Sequence, residues 1–268
     1  MCTFTVKNNQ SNFRHEFTNS LSCRNEMPEA SPCDHWSAFY QQQSILEPPS
    51  AFARFVAESF LQNENQSLKL SNVNRRNSKK YILDVACGTG RDSLFFAESG
   101  YDVIGVDLSA QPLVKDQTTS KSSSWRFVQG DMGKLHLIQE PSCFADPEFF
   151  FDAIYFRFCL HSVPPDVQTA ALRYAHTKLA VNNGVLCIEA RSVKDDLYGK
   201  GVRVGEHAYE ATTKQSPAHY RRFIVLDDLV LELKQLGFSM LFVGEQNGWA
   251  EYGNEDPVVV RVVAKREV

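Results

Sequence analysis

Residues 81–92 read Tyr81-Ile82-Leu83-Asp84-Val85-Ala86-Cys87-Gly88-Thr89-Gly90-Arg91-Asp92, and this stretch decides the fold. An apolar run, a glycine turn and the start of an amphipathic stretch make a strand–turn–helix unit. Glycines in such a turn let a ligand approach the backbone and lie over the helix N-terminus. Position 93 is Ser, so the turn falls short of the G-x-G-x-x-G of a dinucleotide site. It also lacks the Lys-Ser/Thr of a phosphate-gripping loop. Asp84, just before the glycines, is wrong for a pyrophosphate and right for a cationic group. A second acid, Asp107, closes the next apolar run about twenty residues on, where a carboxylate typically accepts both ribose hydroxyls.

The pattern continues outward from this unit. Apolar runs rich in Val, Ile, Phe and Tyr occupy 81–86, 103–107, 125–128, 152–158, 184–190, 238–244 and 258–264. Stretches of helical period at 92–99, 111–117, 165–180 and 226–236 lie between most of them. This alternation predicts an α/β fold, a parallel sheet with helices on both faces. The last two runs are separated by Gly248, Gly253, Asn254 and Pro257 with no helical signal, so they should pair antiparallel. Upstream, Ser50 is a candidate N-cap for a helix carrying Phe52, Phe55, Val56 and Phe60 on one face. Residues 63–80 are polar and read as a linker. Residues 1–33 read as a flexible tail, followed by a single domain over 34–268 with cap helices in 34–62. The 191–225 stretch is long and polar-aromatic, and reads as an insertion.

The chain has 268 residues, 28 Lys+Arg against 32 Asp+Glu, and a formal net charge of −4. That balance argues against nucleic acid or an anionic membrane as partner, since both recruit through a basic field. A small anionic ligand needs only one local Arg cluster. The seven cysteines (Cys2, Cys23, Cys33, Cys87, Cys143, Cys159, Cys187) are odd in number and show no metal-ligand spacing. They read as reduced thiols, and no metal is expected. The first thirty residues lack the apolar core of a secretory signal, and no apolar run reaches the roughly 18–20 residues of a membrane span. A cytoplasmic setting is the expectation, as a monomer or homodimer.

Five segments together resemble the class I S-adenosylmethionine-dependent methyltransferases. Asp84-x-Ala86-x-Gly88-x-Gly90 is similar to their first motif, and Val103–Ser109 to the second strand with its ribose-binding acid. Gln129-Gly130-Asp131-Met132 resembles the third-strand end, where an Asp meets the adenine amino group. Phe151–Phe156 resembles the fourth-strand motif. Leu179–Leu186 resembles the turn into the fifth strand, with Asn182-Asn183 where Pro-Gly or Gly-Gly is usual. The resemblance covers about residues 81–190 in detail. It implies a Rossmann-like sheet of seven strands in the order 3-2-1-4-5-7-6, with an antiparallel last strand. It also implies S-adenosylmethionine as cofactor, leaving as S-adenosylhomocysteine. Asp84, Ala86, Gly88 and Gly90 would hold the methionine moiety, Asp107, Leu108 and Ser109 the ribose, and Asp131 and Met132 the adenine. Read alone, Asp107 and Asp131 could each simply cap the turn that follows.

Methyl transfer is an in-line displacement that asks the protein to position an acceptor, exclude water and, for a weak nucleophile, remove a proton. The fourth strand runs into Arg157-Phe158-Cys159-Leu160-His161, a loop that faces the methyl group in this family. His161 is a candidate general base or a structural histidine bonded to the loop backbone. Arg157 is a candidate anchor for a carboxylate of cofactor or substrate, or a solvated Arg. The insertion carries Arg191 and Arg203, then His219-Tyr220-Arg221-Arg222-Phe223. This cluster is either a lid that grips a carboxylate or phosphate, or a surface run that begins the next helix. Two adjacent Arg in extended chain point opposite ways, so at most one of Arg221 and Arg222 should enter the site. Trp36 and Tyr40 are candidates for the opposite wall or for packing on the sheet. The expected acceptor is a small anionic metabolite. A thiol or metalloid S-methyltransferase of the tellurite-resistance or thiopurine type, a protein or RNA methyltransferase, and a non-catalytic cofactor-binding protein are the alternatives.

Overall fold

The computed structural model describes residues 36, 37, 40, 47–61, 80–109, 124–139, 141–181, 183–213 and 216–267. The helix expected at 111–117, the tail at 1–33, most of 34–46 and most of the 63–80 linker lie outside these residues.

Seven strands form one sheet: β1 (Tyr81–Val85), β2 (Asp102–Asp107), β3 (Trp125–Gln129), β4 (Ala153–Arg157), β5 (Val185–Arg191), β9 (Phe238–Gln246) and β10 (Val259–Arg266). Their order is β3-β2-β1-β4-β5-β10-β9. The pairs among β1 to β5 are parallel, and β10 runs antiparallel to both β5 and β9. This is the expected order, with the hairpin strands counted after three extra strands.

Because strand side chains alternate faces, adjacent residues of β1 enter different cores. Leu83 and Val85 pack with Ala171 and Leu172 of α3 (Pro165–Lys178) and with Leu229 and Leu233 of α4 (Leu226–Gln235). Ile82 packs on the other face with Phe52 and Val56 of α1 (Ala51–Val56) and with Phe96 of α2 (Arg91–Glu98). Helices therefore cover both faces, which is why the central strands are apolar throughout rather than alternating. α1 continues as a π-helical turn over Ala57–Leu61.

Ser50 caps α1 by accepting the Ala53 N–H at 3.0 Å. Its own N–H and Oγ bond Asp92 at 2.8 and 2.7 Å, and the Tyr155 hydroxyl reaches the same carboxylate at 2.9 Å. Asp92 thus joins the start of α1, the start of α2 and the middle of β4.

The 191–225 insertion is not irregular. It forms a separate antiparallel sheet of β6 (Val202–Gly205), β7 (Ala208–Thr213) and β8 (Ser216–Arg222), in that order. Residues 219–222 lie in β8, and the next helix begins only at Leu226, so the basic run does not start a helix. The two sheets are joined by short pairings. Ile224 donates its N–H to Arg191 O at 2.9 Å, and Val193 to Ile224 O at 3.1 Å. No helix among the described residues is long and apolar enough to cross a membrane.

Candidate active site

The C-terminal ends of β1, β2 and β4, the loop after β4, the start of the insertion and the β9–β10 loop enclose a cavity of about 640 Å³. This is where open parallel sheets bind ligands.

One end is built on the glycine turn. Gly88 takes φ +56°, which strains any L side chain, and Tyr40 Oη packs over it, 2.7 Å from where a Cβ would stand. Asp107, 5% exposed, accepts the Gly88 N–H and the Ser109 N–H, each at 2.8 Å. Both carboxylate oxygens keep lone pairs for a ligand. Burial pushes Asp107 up, and the Ser109, Gly88 and Leu108 N–H groups pull it back. Asp84 is more extreme. Burial pushes it up to about 8, Ser93 Oγ donates to it at 2.5 Å, and Asp92 and Asp107 add repulsion. A buried acid on a cavity wall with so little to stabilise its charge fits a cationic group on the ligand. Asp131 accepts the Gly133 N–H at 2.9 Å and so caps its own turn while still lining the cavity.

Of the expected cofactor residues, Asp84, Ala86, Gly88, Asp107, Leu108 and Asp131 border the cavity, as does Met132. Gly90 and Ser109 stand behind it. Gly90 heads α2 in the left-handed conformation, and Ser109 supports Asp107. Trp36 and Tyr40 also border the cavity. Tyr40 lies against Gly88, with its ionisation suppressed by burial and then by Asp107, so it belongs to the glycine-turn end rather than to the far wall.

The other end is basic. His161 is 5% exposed, and its Nδ1 accepts the Arg191 N–H at 3.3 Å. Burial drives its pKa well below the usual histidine range, and Arg191, Arg221, His219 and Arg222 push it further. The imidazole is therefore neutral with its proton on Nε2. The residue borders the cavity, and its Nδ1 is taken by backbone. The backbone contact on Nδ1 fits the structural alternative for His161, a ring bonded to the chain, more closely than a free general base.

Arg157 is not a solvated arginine. The carboxylate it grips is internal: its Nε meets Glu189 at 3.0 Å, and Arg261 meets the other Glu189 oxygen at 2.7 Å. Arg261 in turn lies under Phe52, Phe55 and Trp249. Arg157 still borders the cavity and lies 4.7 Å from the centre of the Phe158 ring. Phe158 takes φ +53°, a strained backbone at a cavity wall.

β8 sends its two arginines apart. Arg221 borders the cavity and bonds His219 Nε2 at 2.9 Å. Arg222 points away, to Leu160 O, Val163 O and Gln168 at 3.3, 3.3 and 2.5 Å. Arg222 and Tyr220 are thus outside the cavity wall, because extended backbone alternates sides. Arg191 borders the cavity but is held by Asp195 and Glu255. Arg221 has no carboxylate partner among the described residues, and burial and Arg191 lower its pKa. Among the described residues no cluster could hold a metal ion.

Sequence reading missed Glu255, Tyr252, Glu47 and Tyr155, all of which border the cavity. It also missed Glu189 and Arg261, the network that holds Arg157, although each carried a signal as a lone charge inside an apolar run.

The family model described as a methyltransferase domain matches residues 57–242. The chain belongs to the methyltransferase-domain family. YqeM of Bacillus subtilis (strain 168), which carries a methyltransferase name, is 45% identical over 58 residues, 21% of this chain and 24% of that protein. The uncharacterized methyltransferase C750.03c of Schizosaccharomyces pombe (strain 972) is 30% identical over 84 residues, 31% of this chain and 52% of that one. These alignments span about half or less of the relatives' lengths. Among solved structures, a methyltransferase from Methanosarcina mazei superposes with a TM-score of 0.56 at 17% identity, covering 73% of this chain and 96% of that one. The Burkholderia thailandensis 1,6-didemethyltoxoflavin-N1-methyltransferase, solved with its substrate and S-adenosylhomocysteine, gives 0.51 at 17%, covering 91% and 93%. These likenesses establish the shared methyltransferase fold.

Proposed function

We propose that this methyltransferase-family chain transfers a methyl group from S-adenosylmethionine to a small anionic metabolite. The cavity residues fit that cofactor. Asp107, at the end of β2, would accept the ribose hydroxyls. Asp131 would meet the adenine amino group, and the buried Asp84 would pair with the methionine ammonium. When bound, the cofactor supplies an electrophilic methyl on a sulfonium sulfur. The chain's own contribution is to seat the acceptor against that methyl and to exclude water.

The observation that carries the acceptor class is Arg221. A partly buried guanidinium that borders the cavity with no ion-pair partner among the described residues is costly, and a ligand anion relieves that cost. The neutral His161 Nε2–H adds a donor on the same wall. This basic wall disfavours the apolar pocket expected of a thiol or metalloid enzyme. Cocrystallisation with S-adenosylhomocysteine tests the reading. The ribose should meet Asp107, and the space left over should be bounded by His161, Arg191 and Arg221. A nucleoside bound elsewhere would contradict it.

A further inference from the structure

We propose that Glu255 is the acceptor site's own stand-in anion, a displaceable carboxylate that makes the site select for a negatively charged acceptor. This rests on the anionic-acceptor reading and names a residue that enforces it.

Arg191 has two carboxylate partners, and they differ. The Asp195 side chain is 1% exposed, meets Nη1 with both oxygens at 3.0 and 3.2 Å, and accepts the Leu197 N–H at 2.8 Å. It is fixed in place. The Glu255 side chain is 56% exposed and meets only Nη2. The carboxylate half of this pair is open to water, so exchanging it for a ligand anion costs little. Glu255 also opposes the effect of burial on Arg221, so its charge is felt by both arginines of this wall.

The loop that carries Glu255 is built as a strap. Tyr252 and Glu255 exchange both backbone hydrogen bonds at 2.9 Å, which closes a tight tip. Asp256 accepts the Gly248 N–H at 2.6 Å and Asn247 Nδ2 at 3.1 Å, which closes the base. The Tyr252 hydroxyl bonds Glu47, and Glu47 pairs with Arg91 at the head of α2. The strap therefore runs across the cavity mouth from the glycine-turn side to Arg191. Its side-chain ion pair on the basic side, among the described residues, is Arg191–Glu255. An acceptor's anion can take the place of Glu255 beside Arg191 and Arg221, and the freed carboxylate moves to water. A neutral molecule offers no such exchange and leaves the strap latched.

The test uses the full chain saturated with S-adenosylhomocysteine and titrated with acetate, inorganic phosphate or acetamide, with affinities read from thermal shift. Glu255→Gln keeps the size and removes the charge of an exposed side chain. It should bind at least one anion at least about threefold more tightly than wild type, with no gain for acetamide. Arg221→Gln should lose anion binding. If wild type binds an anion and Glu255→Gln binds it no better, the stand-in role is wrong while the anionic-acceptor reading survives. An equal gain for acetamide would mean a wider mouth rather than charge exchange, and would overturn the proposal. If neither wild type nor Glu255→Gln binds either anion, both readings fall.

Discussion

The Asp107 carboxylate accepts the Gly88 N–H at 2.8 Å, so the acid that ends β2 also fixes the glycine turn that follows β1. Cofactor contact and turn geometry thus depend on one side chain. Replacing Asp107 with Ala should raise the Kd for S-adenosylmethionine by at least about tenfold in calorimetry, a loss of about 1.4 kcal/mol. Asp107→Asn, which keeps one acceptor oxygen, should fall between the two.

Asp84 gives a pH dependence with a definite sign. In the cofactor-free protein its pKa lies near 8, so below that the carboxyl is mostly protonated. Pairing with an ammonium favours the ionised form and expels the proton. Affinity for S-adenosylmethionine should therefore rise with pH up to about 8 and level off above it. Calorimetry in buffers of different ionisation enthalpy should register proton release near pH 7. The same shift acts on stability in reverse. The folded pKa is raised above the unfolded value of 3.8, so the native state binds more protons in between. The contribution of Asp84 to stability is greatest below the unfolded pKa and is lost as pH rises toward about 8. Asp84→Asn should flatten both dependences.

Arg221 and Arg222 are neighbours with different expected phenotypes. Arg221→Gln should raise the acceptor KM while leaving cofactor Kd and thermal stability near wild type. Arg222→Gln breaks contacts to Leu160 O, Val163 O and Gln168 and should destabilise the fold by about 2 kcal/mol. Thermal denaturation and cofactor titration of the two variants separate the effects.

His161 should not set the pH optimum. Its pKa is pushed far below the usual histidine range by burial and four neighbouring cations or imidazoles, and its Nδ1 is occupied. The kcat profile should show no inflection between about pH 6 and 7 that disappears in His161→Ala. The variant should act mainly through KM. A loss of 10²-fold or more in kcat would restore the general-base assignment.

What was legible in the chain follows from what each element depends on. β1, its glycine turn and the Asp107 end of β2 are set by local patterns, so residues 81–107 could be read directly. The N-cap Ser50 was equally local. The β6–β8 sheet was hidden because its first strand, β6, is exposed along its whole length and offers no buried stripe to read. Arg191 is legible as a candidate acceptor-binding residue, but its partners Asp195 and Glu255 are not, because Glu255 approaches it only after folding. The Glu189–Arg261 pair could have been found. Each charge interrupts an apolar run, and antiparallel pairing of β5 with β10 sets them opposite each other.

The most direct test follows methyl label from S-adenosylmethionine into a metabolite extract, using wild-type and Arg221→Gln proteins. The account predicts label in small molecules retained on an anion exchanger, and a sharp drop with Arg221→Gln. Label confined to macromolecules or to unretained neutral compounds, or label indifferent to Arg221, would contradict it.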